Sequence, residues 1–280
     1  MPYTIDLTSA RAKLDRARVH IKTLRSDAGI EAPTYAVSVP LRWQYEPENR
    51  ALIWRIESVV QASQYWSLLV GDAAHNLRCA LDHLAWQLAL KHFDPVEPSD
   101  EWTIKKIKFP VVLDINDWNS GKYWKNFMDA DDAAKLKDFQ PFNLSASQRA
   151  NGDYHPFELL GGFRGIDNVD KHRSIHLTIC CMHETYLHGS SVAPIDCEFA
   201  AYMVVGGNAN IPWYDQTIPG DSPQAGDEVL RVPVIVTGPN PQVYFETSLT
   251  VFIKFWETLN VLGFLDTVAE GVRQVIERFA

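Results

Sequence analysis

One stretch of the sequence, residues 61–90, contains neither lysine nor glutamate although it is rich in leucine and alanine. Lysine and glutamate favour helices and usually cover the solvent-facing surface of a helix. A helix that lacks both is expected to bury much of its surface or to present short polar side chains to partners. The segment therefore predicts a central helix at about residues 61–91, around which the rest of the chain packs.

The helical periodicity of this segment separates an apolar face from a polar face. At about 100° per residue, one broad face collects the leucines and alanines and is expected to form the core. This face comprises Leu69, Ala73, Leu77, Ala80, Leu81, Leu84 and Leu88. The opposite face carries Asp72, His75, Asn76, Cys79, Asp82, His83 and Trp86. Because these polar residues are poor helix formers, we expect them to be enclosed and paired, either in a structural hydrogen-bond network or in a functional site.

A second polar cluster, "DNVDKHR" at residues 167–173, ends a helix predicted at about residues 156–171. It supplies four candidate binding residues, Asn168, Lys171, His172 and Arg173. One interpretation is that the three cations only stabilise a helix C-terminus. The other is that this helix faces the central helix, so that His172 lies near His75 and His83.

The remaining hydrophobic patterns predict an α+β fold. Two further amphipathic helices are expected at about residues 7–28 and 254–279, and an N-terminal β-hairpin is expected between residues 37 and 56. The second half of the chain alternates with period two and is expected to form antiparallel strands, in "SIHLTICC", "CEFAAYMVV", "VLRVPVIVT" and "QVYFETSLTVFIKF". The chain is expected to form a single α+β domain, residues 1–280.

Three shorter segments carry weaker patterns. "IKFPVVL" at residues 107–113 predicts a short strand, and "DADDAAKLKDF" at residues 129–139 predicts a helix. Residues 206–228 form a long polar segment, and loops of such length often act as lids or binding loops.

Composition narrows the class of protein. The chain has 280 residues and a formal net charge of −9, which argues against broad coating of nucleic acid but permits a local basic pocket. The four cysteines lack CxxC spacing, and no apolar run reaches the ~18 residues that span a bilayer. With no apolar stretch typical of a signal sequence near its N-terminus, the chain is expected to be cytoplasmic and to have no membrane partner.

Arg78 and His83 fit the spacing R-x4-H within "HNLRCALDH". This motif resembles that of the HEPN superfamily of helical-bundle proteins, many of which are metal-independent ribonucleases. The resemblance implies that Arg78 stabilises a phosphate and that His83 transfers protons while a 2′-hydroxyl attacks its own phosphodiester. It also implies a possible homodimer, because Arg78 and His83 are ~140° apart on an ideal helix and a partner chain could complete the pair.

A longer pattern, "GDxxHNLRxxLDHLxxQ" followed by "IDNxDKHR", is similar to a family of uncharacterised bacterial and phage proteins. That resemblance implies no activity. For the ribonuclease hypothesis, the predicted catalytic residues are Arg78, His83, His75 and Asp72, and the predicted substrate-binding residues are Asn76, Asp82, Asn168, Lys171, His172 and Arg173. RNA is the expected substrate, and the mechanism needs no metal or other cofactor.

Two alternatives remain open at the level of sequence. A metal-dependent hydrolase could bind a divalent ion through Asp72, either His75 or His83, and His172. No HExxH or Cx2C motif accompanies these residues. A non-enzymatic binding or assembly protein could instead use the polar face to fix helix register or a partner surface.

Overall fold

A computed structural model of the chain describes ten ranges of residues. They are residues 3–30, 37–59, 62–93, 101–143, 177–181, 186–199, 202–205, 209–212, 224–255 and 259–280. The chain divides into two compact units, one made of residues 1–27, 63–176 and 261–280 and the other of residues 28–62 and 177–260. The expectation of a single domain stays a prediction. Helices and antiparallel sheets are both present, as the predicted α+β class requires.

The described helices all belong to the first unit. They are α1 (Thr8–Asp27), α2 (Gln64–His92), α3 (Glu101–Lys106), α4 (Ile115–Asn119), α5 (Ala130–Lys137) and α6 (Val261–Glu277). A 3-10 turn follows α5 at Pro141–Asn143. The predicted helices at residues 7–28 and 61–91 are therefore confirmed, and so is the helix predicted in "DADDAAKLKDF".

Helix α2 is the core element of this unit. The Ser63 side chain caps its first turn by accepting a hydrogen bond from the Trp66 backbone N–H. Every residue predicted for its apolar face is buried, with exposures from 0% to 4%. Helix α1 packs antiparallel against it: the Trp66 indole N–H donates to Asp27 at 2.6 Å, and Ser9 at the other end of α1 contacts His83.

Helix α6 starts later than the sequence predicts. The apolar spacing of Phe255, Leu259 and Leu262 suits a helix, yet residues 254–255 and 259–260 belong to strands and the helix begins at Val261. Lys254 and Phe255 pair with strand residues 177–178 and with the short strand at 259–260. The prediction of a helix from residue 254 was wrong because backbone pairing with distant strands outweighs local periodicity here.

The segment 107–112 has no regular secondary structure and pairs with no described strand, so the strand predicted there was also wrong. Pro110 interrupts the segment and lacks the backbone N–H that a ladder needs. Side chains from α2 and from the turn after α5 bind its backbone instead. Asp82 accepts from the Phe109 N–H, and Gln140 accepts from the Val112 N–H.

The second unit contains the described strands. They are β1 (Val37–Val39), β2 (Leu41–Glu46), β3 (Ala51–Ile56), β4 (Leu177–Cys181), β5 (Tyr186–Ile195), β6 (Cys197–Phe199), β7 (Tyr202–Val205), β8 (Ala209–Pro212), β9 (Glu228–Val236), β10 (Gln242–Phe255) and β11 (Leu259–Asn260). All of the described pairings are antiparallel, as predicted.

Three described sheets organise this unit. One has the strand order β2-β3-β9-β6 and contains the predicted hairpin, in which β2 and β3 pair from Leu41 with Ile56 to Glu46 with Ala51. In another, β10 pairs with β1, β4, β5 and β11, and β7 pairs with β8 in the third. Strand β8 lies inside the segment predicted as the long loop 206–228, and β9 begins at its last residue, so five described residues of that segment are strand.

Some predictions lie outside the described residues. The helix predicted at 156–171 and the whole of the "DNVDKHR" cluster at 167–173 belong to this group. Among the described helices, none has the length and apolarity that a bilayer crossing requires.

Replacing Leu81 with alanine should lower the free energy of unfolding by about 2–5 kcal/mol, because its side chain is fully buried and the deletion leaves a cavity. Leu68 on the same helix is 64% exposed, and its replacement by alanine should change that free energy by less than about 1 kcal/mol. Urea unfolding of both variants measures the difference. Equal losses would show that the described orientation of α2 is wrong.

Candidate functional site

The polar face of α2 is divided among three environments. One edge contacts the segment 107–112, the other edge contacts α1, and the strip between them faces outward. Asp72 and His75 are exposed, Asn76 is buried, and Arg78, Cys79, Asp82, His83 and Trp86 are half-buried. The expectation that the whole face is enclosed was therefore wrong for Asp72 and His75.

At the edge beside segment 107–112, an ion pair between Arg78 and Asp82 binds both polar backbone groups of Phe109, and this arrangement is called the clamp. Arg78 Nη2 lies 2.9 Å from Asp82 Oδ1, and Arg78 Nε donates to Asp82 Oδ2 at 3.1 Å. The same Nη2 donates to the Phe109 carbonyl at 3.0 Å, while Asp82 Oδ1 accepts from the Phe109 N–H at 2.8 Å. Both polar backbone groups of buried Phe109 are thus satisfied by one ion pair.

This clamp uses much of the hydrogen-bonding capacity of Arg78. Its side chain is 15% exposed, and its guanidinium already contacts a carboxylate and a carbonyl. A phosphate ligand would have to compete with both of those partners. The geometry is that of a residue which holds the segment 107–112 against α2.

The opposite edge of the face contacts α1. His83 Nδ1 lies 3.0 Å from Ser9 Oγ, which orients the imidazole. The buried Asn76 donates to the Asp72 carbonyl at 2.8 Å within α2 itself. His20 of α1 is buried, and its Nδ1 lies 4.0 Å from Asp72 Oδ2.

Burial lowers the pKa of His20. The Asp72 carboxylate opposes that shift and Arg16 adds to it, but desolvation is the larger effect. Because the folded-state pKa lies below the unfolded value, the stability that neutral His20 contributes is present at neutral pH and is lost as the pH falls through the folded pKa. His20 therefore acts as a packed neutral side chain at the α1–α2 interface.

The surface that runs from the α1 edge, which includes Asp72 and His83, across the strip beside it is called the outward face of α2. It consists of Tyr65, Leu68, Asp72, His75, Cys79, His83, Trp86 and Leu90, which recur three or four residues apart. Tyr65 is 50% exposed and Leu68 is 64% exposed. Near its centre, Cys79 Sγ lies 3.4 Å from His75 Nε2.

The structure brings some predicted site residues together and separates others. Arg78 contacts Asp82, whereas His83 contacts Ser9 on the opposite edge of the helix. Arg78 and His83 therefore have different partners within the described chain. The roles predicted for Asn168, Lys171, His172 and Arg173 lie outside the described residues.

No cluster of three or more His, Cys, Asp or Glu side chains within the described ranges could hold a metal ion. The predicted ligand set needed His172, which lies outside those ranges. The metal-dependent hydrolase stays a prediction that the described geometry does not favour.

Sequence reasoning missed the residues that contact the polar face from elsewhere in the chain. Ser9, His20 and Phe109 are far from α2 in sequence, and none stands in a recognisable motif. The sequence of α2 did contain one indication of these contacts. Arg78 and Asp82 are i,i+4 neighbours of opposite charge, which predicts that they pair with each other.

A second polar cluster joins the last turn of α2 to the start of α5. Lys91 Nζ lies 2.6 Å from Asp132 Oδ2, and His92 Nδ1 lies 2.8 Å from Asp129 Oδ1. Asp132 is 1% exposed, and its Oδ1 has no hydrogen-bond partner among the described residues, although Lys135 Nζ is 3.7 Å away. These contacts link α5 to the end of α2, with the buried carboxylate of Asp132 paired with the half-buried Lys91.

A cavity of about 560 Å³ lies beside the N-terminus of α1. It is lined by residues 3–8, Arg11, Lys91, Phe279 and Ala280. Its two cations are already paired, Arg11 with Glu277 and Lys91 with Asp132. The cavity therefore presents little unneutralised positive charge to an anion.

Comparisons of the chain with protein-family models, with curated proteins and with solved structures give no match.

The clamp should be detectable as a coupling free energy between Arg78 and Asp82. A double-mutant cycle of Arg78→Ala and Asp82→Ala should give about 1–3 kcal/mol in urea unfolding, because the pair is half-buried and shares the Phe109 backbone. The control is the i,i+4 pair Glu101–Lys105, whose side chains are 82% and 72% exposed. Its coupling should be below about 0.5 kcal/mol, and an equal value for both cycles would contradict the clamp.

Proposed function

We propose that the chain is a non-enzymatic assembly protein whose helix α2 binds another protein through the outward face. One observation carries the proposal: a helix that is buried along one side also exposes Tyr65 and Leu68 on the other. Large apolar side chains in a row on an exposed helical surface are typical of a docking surface for another helix. A homodimer is one assembly of this kind.

The absence of lysine and glutamate from residues 61–90 supports this function. Interfaces are depleted in lysine and glutamate at their centres, where desolvation of a charge costs most. The outward face replaces them with Asp72, His75 and Cys79, whose short side chains allow a partner backbone to approach closely. Trp86, near the C-terminal end of the face, is a residue type enriched in binding hot spots.

The hydrogen bonds that Arg78 already makes to Asp82 and to the Phe109 carbonyl also favour assembly over catalysis. A residue that holds the Phe109 backbone supports the position of α2 and its neighbours. The polar face of α2 then has two uses in this proposal. Its edges organise the helical unit, and its outward face binds a partner.

In-cell photo-cross-linking tests the proposal. A photoreactive p-benzoylphenylalanine in place of Leu68 should give a discrete protein adduct that mass spectrometry identifies and that Tyr65→Arg abolishes. Leu113 is the matched control, since it is 66% exposed in a different part of the unit, and the same substitution there should give no such adduct. Absence of an adduct at position 68, or equal adducts at both positions, would contradict an assembly role for this face.

A metal-independent ribonuclease is the second candidate, and His83 is the observation that favours it. The imidazole is half-buried and held through Nδ1 by Ser9, as a proton-transfer residue requires. RNA would be the substrate, with His75 as a second proton-transfer residue and Asp72 beside it. For Arg78 to stabilise a phosphate, it would have to leave the Phe109 carbonyl.

A cleavage assay on structured and unstructured RNA tests this candidate. Cleavage should persist in EDTA and leave 2′,3′-cyclic phosphate ends, and His83→Ala should lower the rate by about 100-fold or more. His92→Ala serves as a control on the same helix, because His92 contacts Asp129 and lies off the outward face. If the wild-type chain does not cleave, or His83→Ala cleaves at the same rate, the ribonuclease hypothesis fails.

A further inference from the structure

We propose that the second unit binds a phosphate group between Arg42 of β2 and Arg55 of β3. The ligand is free phosphate or the phosphate of a monoester. The proposal does not rest on the assembly function, because both arginines lie in the sheet β2-β3-β9-β6 and neither belongs to α2. Three features of this sheet support it: the register of β2 and β3, the ion pairs of its arginines and the exposure of Arg42.

The two faces of this sheet differ in chemistry. One face packs into an apolar core cluster, to which β2 contributes Leu41, Trp43 and Tyr45 and β3 contributes Leu52, Trp54 and Ile56. Side chains alternate between the two faces along a strand, so the intervening residues project from the opposite face. On β2 and β3 these are Arg42, Gln44, Glu46, Ala51, Ile53 and Arg55. Charged and polar groups are therefore collected on the face away from this core.

The register of the hairpin makes two cations neighbours. Arg42 lies directly opposite Arg55 in the antiparallel pairing of β2 and β3. Residues in such positions project from the same face with Cβ atoms about 4.5–5.5 Å apart, and like charges there are unfavourable. An anion placed between the two guanidinium groups would remove this repulsion and accept hydrogen bonds from both.

The carboxylates beside these arginines are already bound by Arg231. Its Nε donates to Glu228 Oε1 at 2.7 Å and its Nη2 donates to Glu228 Oε2 at 2.8 Å, while its Nη1 donates to Glu46 Oε2 at 2.8 Å. Arg55 reaches the same Glu228 through a single longer contact of 3.3 Å, and it also donates to the Gly226 carbonyl. Glu228 is thus shared between two guanidinium groups, and Arg55 is only partly neutralised.

Arg42 has no counter-ion within the described ranges of the chain, and its side chain is exposed. Glu57, two residues after Arg55, is also exposed and forms no ion pair with either arginine there. Ile53 lies opposite Gln44 in the next pair on the same face, and it has no exposed surface. The site therefore borders a region from which water is excluded, where a charged hydrogen bond is stronger than in bulk water.

The geometry of two facing guanidinium groups favours phosphate over carboxylate. A phosphate monoester carries a charge of about −1.5 to −2 at neutral pH and has three acceptor oxygens, so it can bind both groups at once. A carboxylate has two oxygens, which match the fork of a single arginine. The net charge of −9 does not prevent such binding, because the field close to a site is set by its nearest charges.

Titration of the purified full chain with inorganic phosphate at constant ionic strength tests the inference. The side-chain Nε–H signals of Arg42 and Arg55, observed by NMR after ¹⁵N-arginine labelling, should shift together with a dissociation constant of about 1–10 mM. Methyl phosphate should bind in the same range, and whichever of the two binds more tightly identifies a monoester or free phosphate as the ligand. Acetate should bind at least about fivefold more weakly. Equal constants for acetate and phosphate overturn phosphate as the ligand class.

Variants of exposed arginines in the same hairpin locate the site. Arg42→Gln should raise the dissociation constant for phosphate about tenfold or more, and Arg42→Lys, which keeps the charge but loses the fork, should raise it by a smaller factor. Arg50→Gln is the matched control, since Arg50 is exposed in the turn between β2 and β3. It should leave the constant unchanged.

Two results would overturn the inference. One is the absence of a saturable shift of Arg42 and Arg55 up to about 50 mM phosphate. The other is an equal loss of affinity in Arg42→Gln and Arg50→Gln, which would show that phosphate responds to the overall charge of the hairpin and not to the facing pair. Because Arg42 is exposed, both of its variants should keep the melting temperature of the wild-type chain within a few degrees. If Arg42→Gln does not fold, Arg42→Lys decides the outcome.

Discussion

The burial of one face of α2 is the constraint on which the rest of the helical unit depends. Its leucines and alanines are fully buried from Leu69 to Leu88, and α1 packs along it. At about 1.5–3 kcal/mol for each fully buried large apolar side chain, this face supplies much of the favourable free energy of the unit. The buried face holds α2 in place without help from the polar edges. The side chains at those edges can therefore serve other purposes.

Side chains of the helical unit replace a neighbouring strand beside the segment 107–112. Asp82 and Gln140 accept the backbone N–H groups of Phe109 and Val112, and Arg78 donates to the Phe109 carbonyl. A buried segment must pair its backbone groups, but the partner need not be another strand. This explains why an apolar pattern that predicts a strand gives a segment that is not paired with a described strand.

The sequence predicts those features that depend on local periodicity. The bounds of α1 and α2, the buried residues of α2 and the β2–β3 hairpin all follow from spacing and turn residues within the element itself. The start of α6 and the division of the α2 polar face do not follow from local spacing. They are decided by residues distant in sequence, such as Ser9 and Phe109, whose positions are known only once the chain is folded.

Catalysis and assembly make different demands on Arg78. If Arg78 left the clamp to bind a phosphate, the Phe109 carbonyl would lose its donor and Asp82 would lose its counter-charge in a half-buried place. Leaving such groups unpaired costs about 1–3 kcal/mol each, and more for a charge. Phosphate binding by Arg78 would thus be opposed by the loosening of segment 107–112. Binding through Tyr65, Leu68 and the rest of the outward face leaves the clamp intact, and this difference favours assembly.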